Sequence, residues 1–522
     1  MARPMIIRPI LLSALVLVAS GCMPQVDRGD RSEELIVAKA FGPVSLDPGF
    51  STTANETPIQ AQLYEQLVAI DPASADAQVV GELAERWVVA DDGLSIRFTL
   101  RAGGRFSDGS LIDADAVKFS FERVKRIGRG PSGFLEWLDR VEVVDPLTVK
   151  LVLKRPYAAA LQMLTQPSAS VVSPASVRAH DVGDDGTAWL SENSAGSGPY
   201  VLGDYRANDY VTLVARPRGG RPQPGFRTIR FRALPDEGVR RLLLERGDID
   251  MTDIVPAALV GRYAAIEGVD VRTSPGGVSQ SFLMLNTRSG PLTDVRIRQA
   301  VAAAIDYRAL REQVLKGNAT QLSGYLTPGS PGFAADEPPP RRDLARAKAL
   351  LREAGYDGRP LVLLISQLGP VAEFVQSNLA EAGIRVRLER RSGGAIQALQ
   401  AAGDFDLIYT GWSLDVPDAA PFLEALFTTR GIASGANGSG LSDPDIDRLV
   451  EAALVESDPT VRARLLRAAD VRLRALRPVV MLFSAKPVAA YRSDLQGVAL
   501  NPYAPANFDF AAISRVPTRP KS

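Results

Sequence analysis

The chain has 522 residues, of which 46% are hydrophobic and 23% charged, with 60 Lys and Arg balanced by 60 Asp and Glu. That apolar fraction without net charge excludes a disordered chain, and the lack of a basic excess argues against a nucleic-acid partner. The length exceeds the roughly 250–300 residues that one hydrophobic core supports, so at least two packed lobes are expected.

Arg3 and Arg8 flank the start, and an apolar run follows from Ile10 to Ser20. It is too short for the roughly 20 residues that cross a bilayer and fits the core of a signal peptide. The run ends in Ala19-Ser20-Gly21-Cys22. Small residues before a cysteine, just past an apolar core, resemble the bacterial lipobox, which implies that Cys22 is acylated and becomes the first residue of the exported chain. The alternative is a stray cysteine in a cleaved leader. Cys22 is the single cysteine, so no intramolecular disulfide is available and stability must come from core burial. Pro24 to Glu33, polar and charge-rich, reads as a tether between membrane and body.

Along the body, strand-like runs alternate with helix-period segments, which points to α/β or α+β layers. In chain order, strands are expected at Leu35 to Ala38 and at Ile96 to Leu100. A hairpin is expected from Val141 to Val144, turning at Asp145-Pro146 into Thr148 to Leu153, and another from Tyr200 to Tyr205 and Val211 to Arg216. Helices are expected at Pro58 to Val68, Ala114 to Val124 after the cap Asp113, Val295 to Ile305 after Thr293 and Asp294, Leu344 to Glu353, and Val461 to Leu476. Pro217 to Pro224 and the run Glu337-Pro338-Pro339-Pro340 mark surface connections.

Catalytic motifs are nearly missing. Gly128-Arg129-Gly130-Pro131-Ser132-Gly133 fits a dinucleotide fingerprint formally, but it follows a helical pattern and carries a Pro where a helix should begin, so a loop is expected. One histidine, His180, and one leader cysteine leave zinc, Cys-His and Ser-His-Asp chemistry without their parts. The carboxylate pairs Asp184-Asp185 and Asp404 with Asp406 could serve a glycosidase or a hard cation; loop charge or helix capping is the favoured reading. No catalytic residue, cofactor or metal is expected.

Five ordered signatures carry a resemblance. They are Gly81-Glu82-Leu83-Ala84-Glu85-Arg86-Trp87 with Asp91-Asp92-Gly93, Ile96 to Arg101, Phe106-Ser107-Asp108-Gly109 and Asp113 to Val117; Gly198-Pro199-Tyr200; Gly247-Asp248-Ile249-Asp250; Leu285-Asn286-Thr287 through Arg298-Gln299-Ala300 to Ile305-Asp306; and Gly411-Trp412-Ser413-Leu414-Asp415. Together they resemble the family 5 extracellular solute-binding proteins, the oligopeptide, dipeptide and nickel receptors of bacterial ABC importers.

The resemblance implies a periplasmic-binding-protein-like two-lobe α/β fold with α+β elements, an extra inserted domain and a ligand cleft between lobes. The implied division is signal peptide 1–21, tether 22–33, lobe I at 34–60 with 171–275 and 487–522, inserted domain 61–170, and lobe III 276–486. It implies capture of a peptide without chemistry and delivery to a permease and its ATPase, with the chain a monomer tethered to the membrane through Cys22. Another solute on the same fold, such as an oligosaccharide, an opine or a nickel chelate, stays open, and a secreted hydrolase is the competing class. Asp415, three residues after Trp412, implies an anchor for a peptide α-amino group. Gly411, Trp412, Ser413 and the segment Thr53, Ala54, Asn55 are the candidate contacts to the ligand main chain. Asn286 is a further cleft candidate, and Phe282 is expected in the core. The chain departs from the family at Arg216 to Gly220 and at Asp418-Ala419, and His180 alone argues against nickel.

Overall fold

Glu34–Lys39 is a strand buried almost throughout, as expected of a central strand with both faces covered. It pairs in parallel with Thr228–Ala233 and Met251–Thr252. The computed structural model describes residues 31–516 apart from 52, 54, 72–73, 75–76, 218–222, 275–278, 335, 367–368, 414–415, 417, 502 and 504–507. Cys22 and the leader therefore lie outside the described residues. Glu34–Lys39 belongs to a seven-stranded sheet in the order Val269–Thr273, Val488–Arg492, Met251–Thr252, Glu34–Lys39, Thr228–Ala233, Tyr210–Ala215 and Tyr200–Arg206.

A six-stranded sheet runs Ala319–Thr320, Val479–Ala485, Ser279–Leu285, Leu407–Ser413, Leu361–Ile365 and Val386–Arg390. Its last three strands are parallel and are joined by the helices Pro370–Ala382 and Gly393–Ala402, two β-α-β crossovers. Two apolar cores cover its faces. Leu283, Leu363, Leu407 and Val301 belong to one, and Phe282, Met284, Ile408 and Leu466 to the other.

The third main sheet, Ala84–Val89, Ser95–Leu100, Thr148–Leu153 and Leu138–Asp145, is antiparallel. Helix Ala114–Ile127 packs on it through Val117, Phe121 and Val124, which share a core with Phe98 and Leu151. Asp113 starts that helix by accepting from Ala116 N at 2.9 Å, and Gly128 ends it in the left-handed region at φ 63°, so capping chemistry sets both ends. A buried ion pair ties this four-stranded unit to the seven-stranded sheet's body. Arg123 lies bidentate on Asp47 at 2.9 and 2.6 Å, with side chains 1% and 0% exposed. Within the seven-stranded sheet's body, Gly198 N donates to Leu63 O at 3.0 Å, and a Cβ at Gly198 would stand 2.3 Å from Gln62 O.

The helix expected over Pro58 to Val68 stops at Leu63. Tyr64 is extended, and Val68–Ile70 instead pairs with Val79–Gly81, so a tertiary strand partner overrides the helical period. Gly130–Leu135 forms a short 3-10 turn, against any dinucleotide site there. Among the described residues no helix is long and apolar enough to cross a membrane.

Candidate functional site

The chain passes twice between the two large sheets, from Thr273 to Ser279 and from Ala485 to Val488. The passages are tied side by side where Ser274 N donates to Pro487 O at 3.0 Å. Ser279, the first strand residue after the crossing, is paired with Ser413, the last residue of Leu407–Ser413. The carboxyl end of that strand therefore lies at the junction of the two sheets. In a sheet with parallel strands, the crevice outside the carboxyl ends is where ligands bind.

Leu407–Ser413 is also uneven in its neighbours. It pairs over its whole length with Ser279–Leu285, but its parallel neighbour Leu361–Ile365 reaches only Leu407 and Ile408. On that side, among the described residues, Tyr409 to Ser413 have no strand partner. At 3.3 Å per residue the open edge is roughly 16 Å long, with alternate backbone N–H and C=O groups available to an extended chain. Gly411 and Ser413 are exposed and Trp412 is half-buried against the core that holds Phe282. Gly411 has a packing reason: a Cβ there would stand 2.7 Å from Gln280 O on the neighbouring strand.

Hydroxyls gather at this end. Ser413 Oγ lies 3.2 Å from Ser279 Oγ, and Ser484 Oγ donates to Ser279 O at 3.0 Å. Burial pushes the Tyr409 phenol up, while a hydrogen bond with Ser281 opposes the shift. Asp415 lies outside the described residues. Val416 and Asp418, on either side of residue 417, are both buried. Asp418 caps helix Ala419–Phe427 through Ala420 N at 2.9 Å and is paired with Arg462 at 2.6 Å, so the Asp418-Ala419 departure is a locked helix start.

The other candidates divide. Thr53 is exposed, and its hydroxyl donates to Glu56 while its N–H donates to the same carboxylate at 3.0 Å. Glu56 is fully buried and also accepts from Val44 N at 2.8 Å. Glu56 therefore fixes the turn that presents Thr53 and Asn55, a role the sequence reading did not give it; a glutamate three residues after a threonine was the available signal. Ala54 lies outside the described residues. Asn286 is a correction. It is 0% exposed, its amide donates to Ser289 Oγ, Gly403 O and Phe405 O at 2.8–3.0 Å, and its carbonyl accepts from Arg288 N at 2.9 Å. The side chain has no hydrogen left for a ligand and joins two connections inside the six-stranded sheet's body.

Other motif residues are structural as well. Asp250 accepts from Ile36 N at 2.7 Å and pairs with Arg515 at 2.7 Å, fastening the central strand to the end of the chain. His180 stacks on Trp189 with ring centroids 4.1 Å apart. Asp185 pairs with Arg126, Asp184 accepts from Ala188 N at 2.7 Å, and Asp406 pairs with Arg359 at 2.6 Å. Among the described residues no group of three or more His, Cys, Asp or Glu is placed to hold a metal ion. A cavity of about 650 Å³, lined by Ala61, Gln66, Ile70, Phe508, Asp509 and Ser514, borders none of the sequence-predicted site residues.

The model for bacterial extracellular solute-binding proteins, family 5 Middle, matches residues 78–434. The probable D,D-dipeptide-binding periplasmic protein DdpA of Escherichia coli is 30% identical, with 99% of this chain and 100% of that protein covered. The glutathione-binding protein GsiB of Salmonella paratyphi A is 30% identical over 92% of this chain and 94% of its own length. Among solved structures, the ABC transporter-associated periplasmic binding protein DppA from Helicobacter pylori, in complex with the peptide STSA, superposes with a TM-score of 0.82 at 23% identity, covering 93% of this chain and 98% of that one.

Proposed function

Because the chain belongs to family 5 of the bacterial extracellular solute-binding proteins, we propose that it captures short peptides outside the cytoplasm and passes them to an ABC importer. The open edge from Tyr409 to Ser413 carries this reading. An extended peptide can add to such an edge as one more strand, which binds the main chain and leaves the side chains unselected. The length of the edge suits two to five residues. The relatives' names point to the same chemistry, since a D,D-dipeptide and glutathione are both short amide-linked chains with a free amine.

The residues assigned to the ligand are Asp415, Gly411, Trp412, Ser413, Thr53 and Asn55, with Ala54 between the last two. Asp415 holds the free α-amino group by a charge-assisted hydrogen bond. Lobe I (34–60, 171–275, 487–522) and lobe III (276–486) meet where Ser274 is tied to Pro487, and 61–170 is the inserted domain carried by lobe I. Contacts to both sides shift an open–closed equilibrium toward the closed form, which the permease and ATPase recognise. Export by the leader and acylation at Cys22 tether a monomer to the membrane.

The test is the melting temperature of the chain beginning at Pro24, with a pool of di- to hexapeptides and with the same pool N-acetylated. A ligand at about a hundred times its dissociation constant adds roughly 2.7 kcal/mol. Stabilisation by the free pool alone is expected, and Asp415→Asn is expected to abolish the difference between pools. No shift with either pool overturns the peptide reading.

A further inference from the structure

Val416 follows the candidate ligand residues by a single position, yet it is 2% exposed and packs into the core of the four-stranded domain, with Leu67, Phe98 and Leu164. Tyr157 of that domain makes the reverse contact. It packs against its own core and against the core of the six-stranded sheet's body that contains Phe422, Leu423 and Leu454. Next to it, Ala158 N donates to Leu454 O at 2.9 Å. Charged groups surround this apolar contact: Arg155 reaches Glu424 at 3.5 Å and Glu451 at 3.2 Å, and Arg430 reaches Glu136 at 3.1 Å and Glu424 at 3.3 Å. A cavity of about 200 Å³ lined by Trp137, Arg155, Tyr157, Glu424 and Arg430 remains between the faces.

We infer that Val416 is a positioning residue: by docking in the inserted domain, it holds the carboxyl end of Leu407–Ser413 in the conformation that receives ligand, and the Tyr157 and Arg155 contacts complete the dock. This rests on the binding reading above and adds to it a direct contact between the inserted domain and lobe III, separate from the ligand. The inserted domain is fastened to lobe I by the buried Arg123–Asp47 pair, so parting lobe III from lobe I pulls Val416 out of its pocket. The dock therefore contributes closing free energy without ligand. Removing it lowers the fraction of closed chain, and apparent affinity falls by that fraction for every ligand alike. A contact made by Val416 with the ligand itself would instead discriminate between ligands.

Two variants test this in the chain beginning at Pro24. Val416→Ser removes the apolar plug. Arg155→Glu sets a carboxylate against Glu424 and Glu451 at a partly exposed site where folding is not at stake. The radius of gyration of the ligand-free chain by small-angle X-ray scattering is expected to rise in both variants. With glutathione and D-alanyl-D-alanine as probes, apparent affinity is expected to fall about fivefold to tenfold, by the same factor for each probe that binds, and saturating probe is expected to restore the wild-type radius. Unchanged radii overturn the inference whether or not any probe binds. A loss that differs between probes overturns it too, because Val416 would then be a ligand contact. If neither probe binds the unmodified chain, the peptide reading fails while the scattering comparison still decides the dock.

Discussion

Arg123→Ala probes the buried ion pair that ties the four-stranded sheet's unit to the seven-stranded sheet's body. Arg123 donates to both oxygens of Asp47, and its Nε donates to Asp185 O at 2.6 Å. Asp47 also accepts from Gly49 N at 2.8 Å, and both side chains are all but removed from water. Deleting the guanidinium leaves a carboxylate buried without a counter-charge, which costs about 3–5 kcal/mol. On the proposed division, lobe I with the inserted domain amounts to roughly 280 residues. At about 2.1 cal/mol/K per residue that cost lowers the melting temperature of this unit by roughly 5–8 °C. Differential scanning calorimetry is the assay, because a multi-lobed chain melts in separable steps. The double variant Arg123→Leu, Asp47→Ala is expected to recover much of the loss, since it removes the stranded charge. A single-variant shift under about 2 °C, or a double variant worse than the single, refutes the reasoning: the pair would then not be desolvated, and the inserted domain would have some other anchor.

Asn286→Ala is expected to cost about 3 kcal/mol of unfolding free energy in urea titration, because it strands the buried carbonyls of Gly403 and Phe405. Its affinity for any ligand that binds the parent chain should stay within twofold, which separates a packing role from a cleft role. Asp108 supplies a pH test. Partial burial raises its pKa, but hydrogen bonds from Ser110, Ser173 and Ser176 outweigh this and hold it at about 2, below its ordinary 3.8. The depressed carboxylate stabilises the fold fully above 3.8 and loses that contribution as pH falls toward about 2. The difference in melting temperature between the parent and Asp108→Ala should be constant from pH 5 to 8 and shrink below pH 4; a difference that grows on acidification contradicts the assignment.

Local chemistry was legible in the sequence wherever a short-range rule decides. Asp113 and Asp294 marked helix starts, because caps act within four residues. The hairpin Leu138–Asp145 with Thr148–Leu153 followed from alternation and a turn. Helix Pro58 to Val68 was over-extended because Tyr64 is extended, Glu65 bridges Val171 and Val68 pairs with Gly81, partners that no local pattern announces.

The site divides in the same way. Sequence alone determined the family signatures and marked the candidate segment Gly411 to Asp415, since these are strings of residue types. It could not separate Asn286, whose amide serves three groups of its own chain, from a residue facing ligand, because the same asparagine suits either role. Only the tertiary structure decided that, among the described residues, Leu407–Ser413 outruns its parallel neighbour and offers an open edge, and that Val416 enters another unit's core. Those facts depend on which strands and cores meet across hundreds of residues. Hydrophobic burial settles such meetings for the whole chain at once, and no window of the sequence contains them.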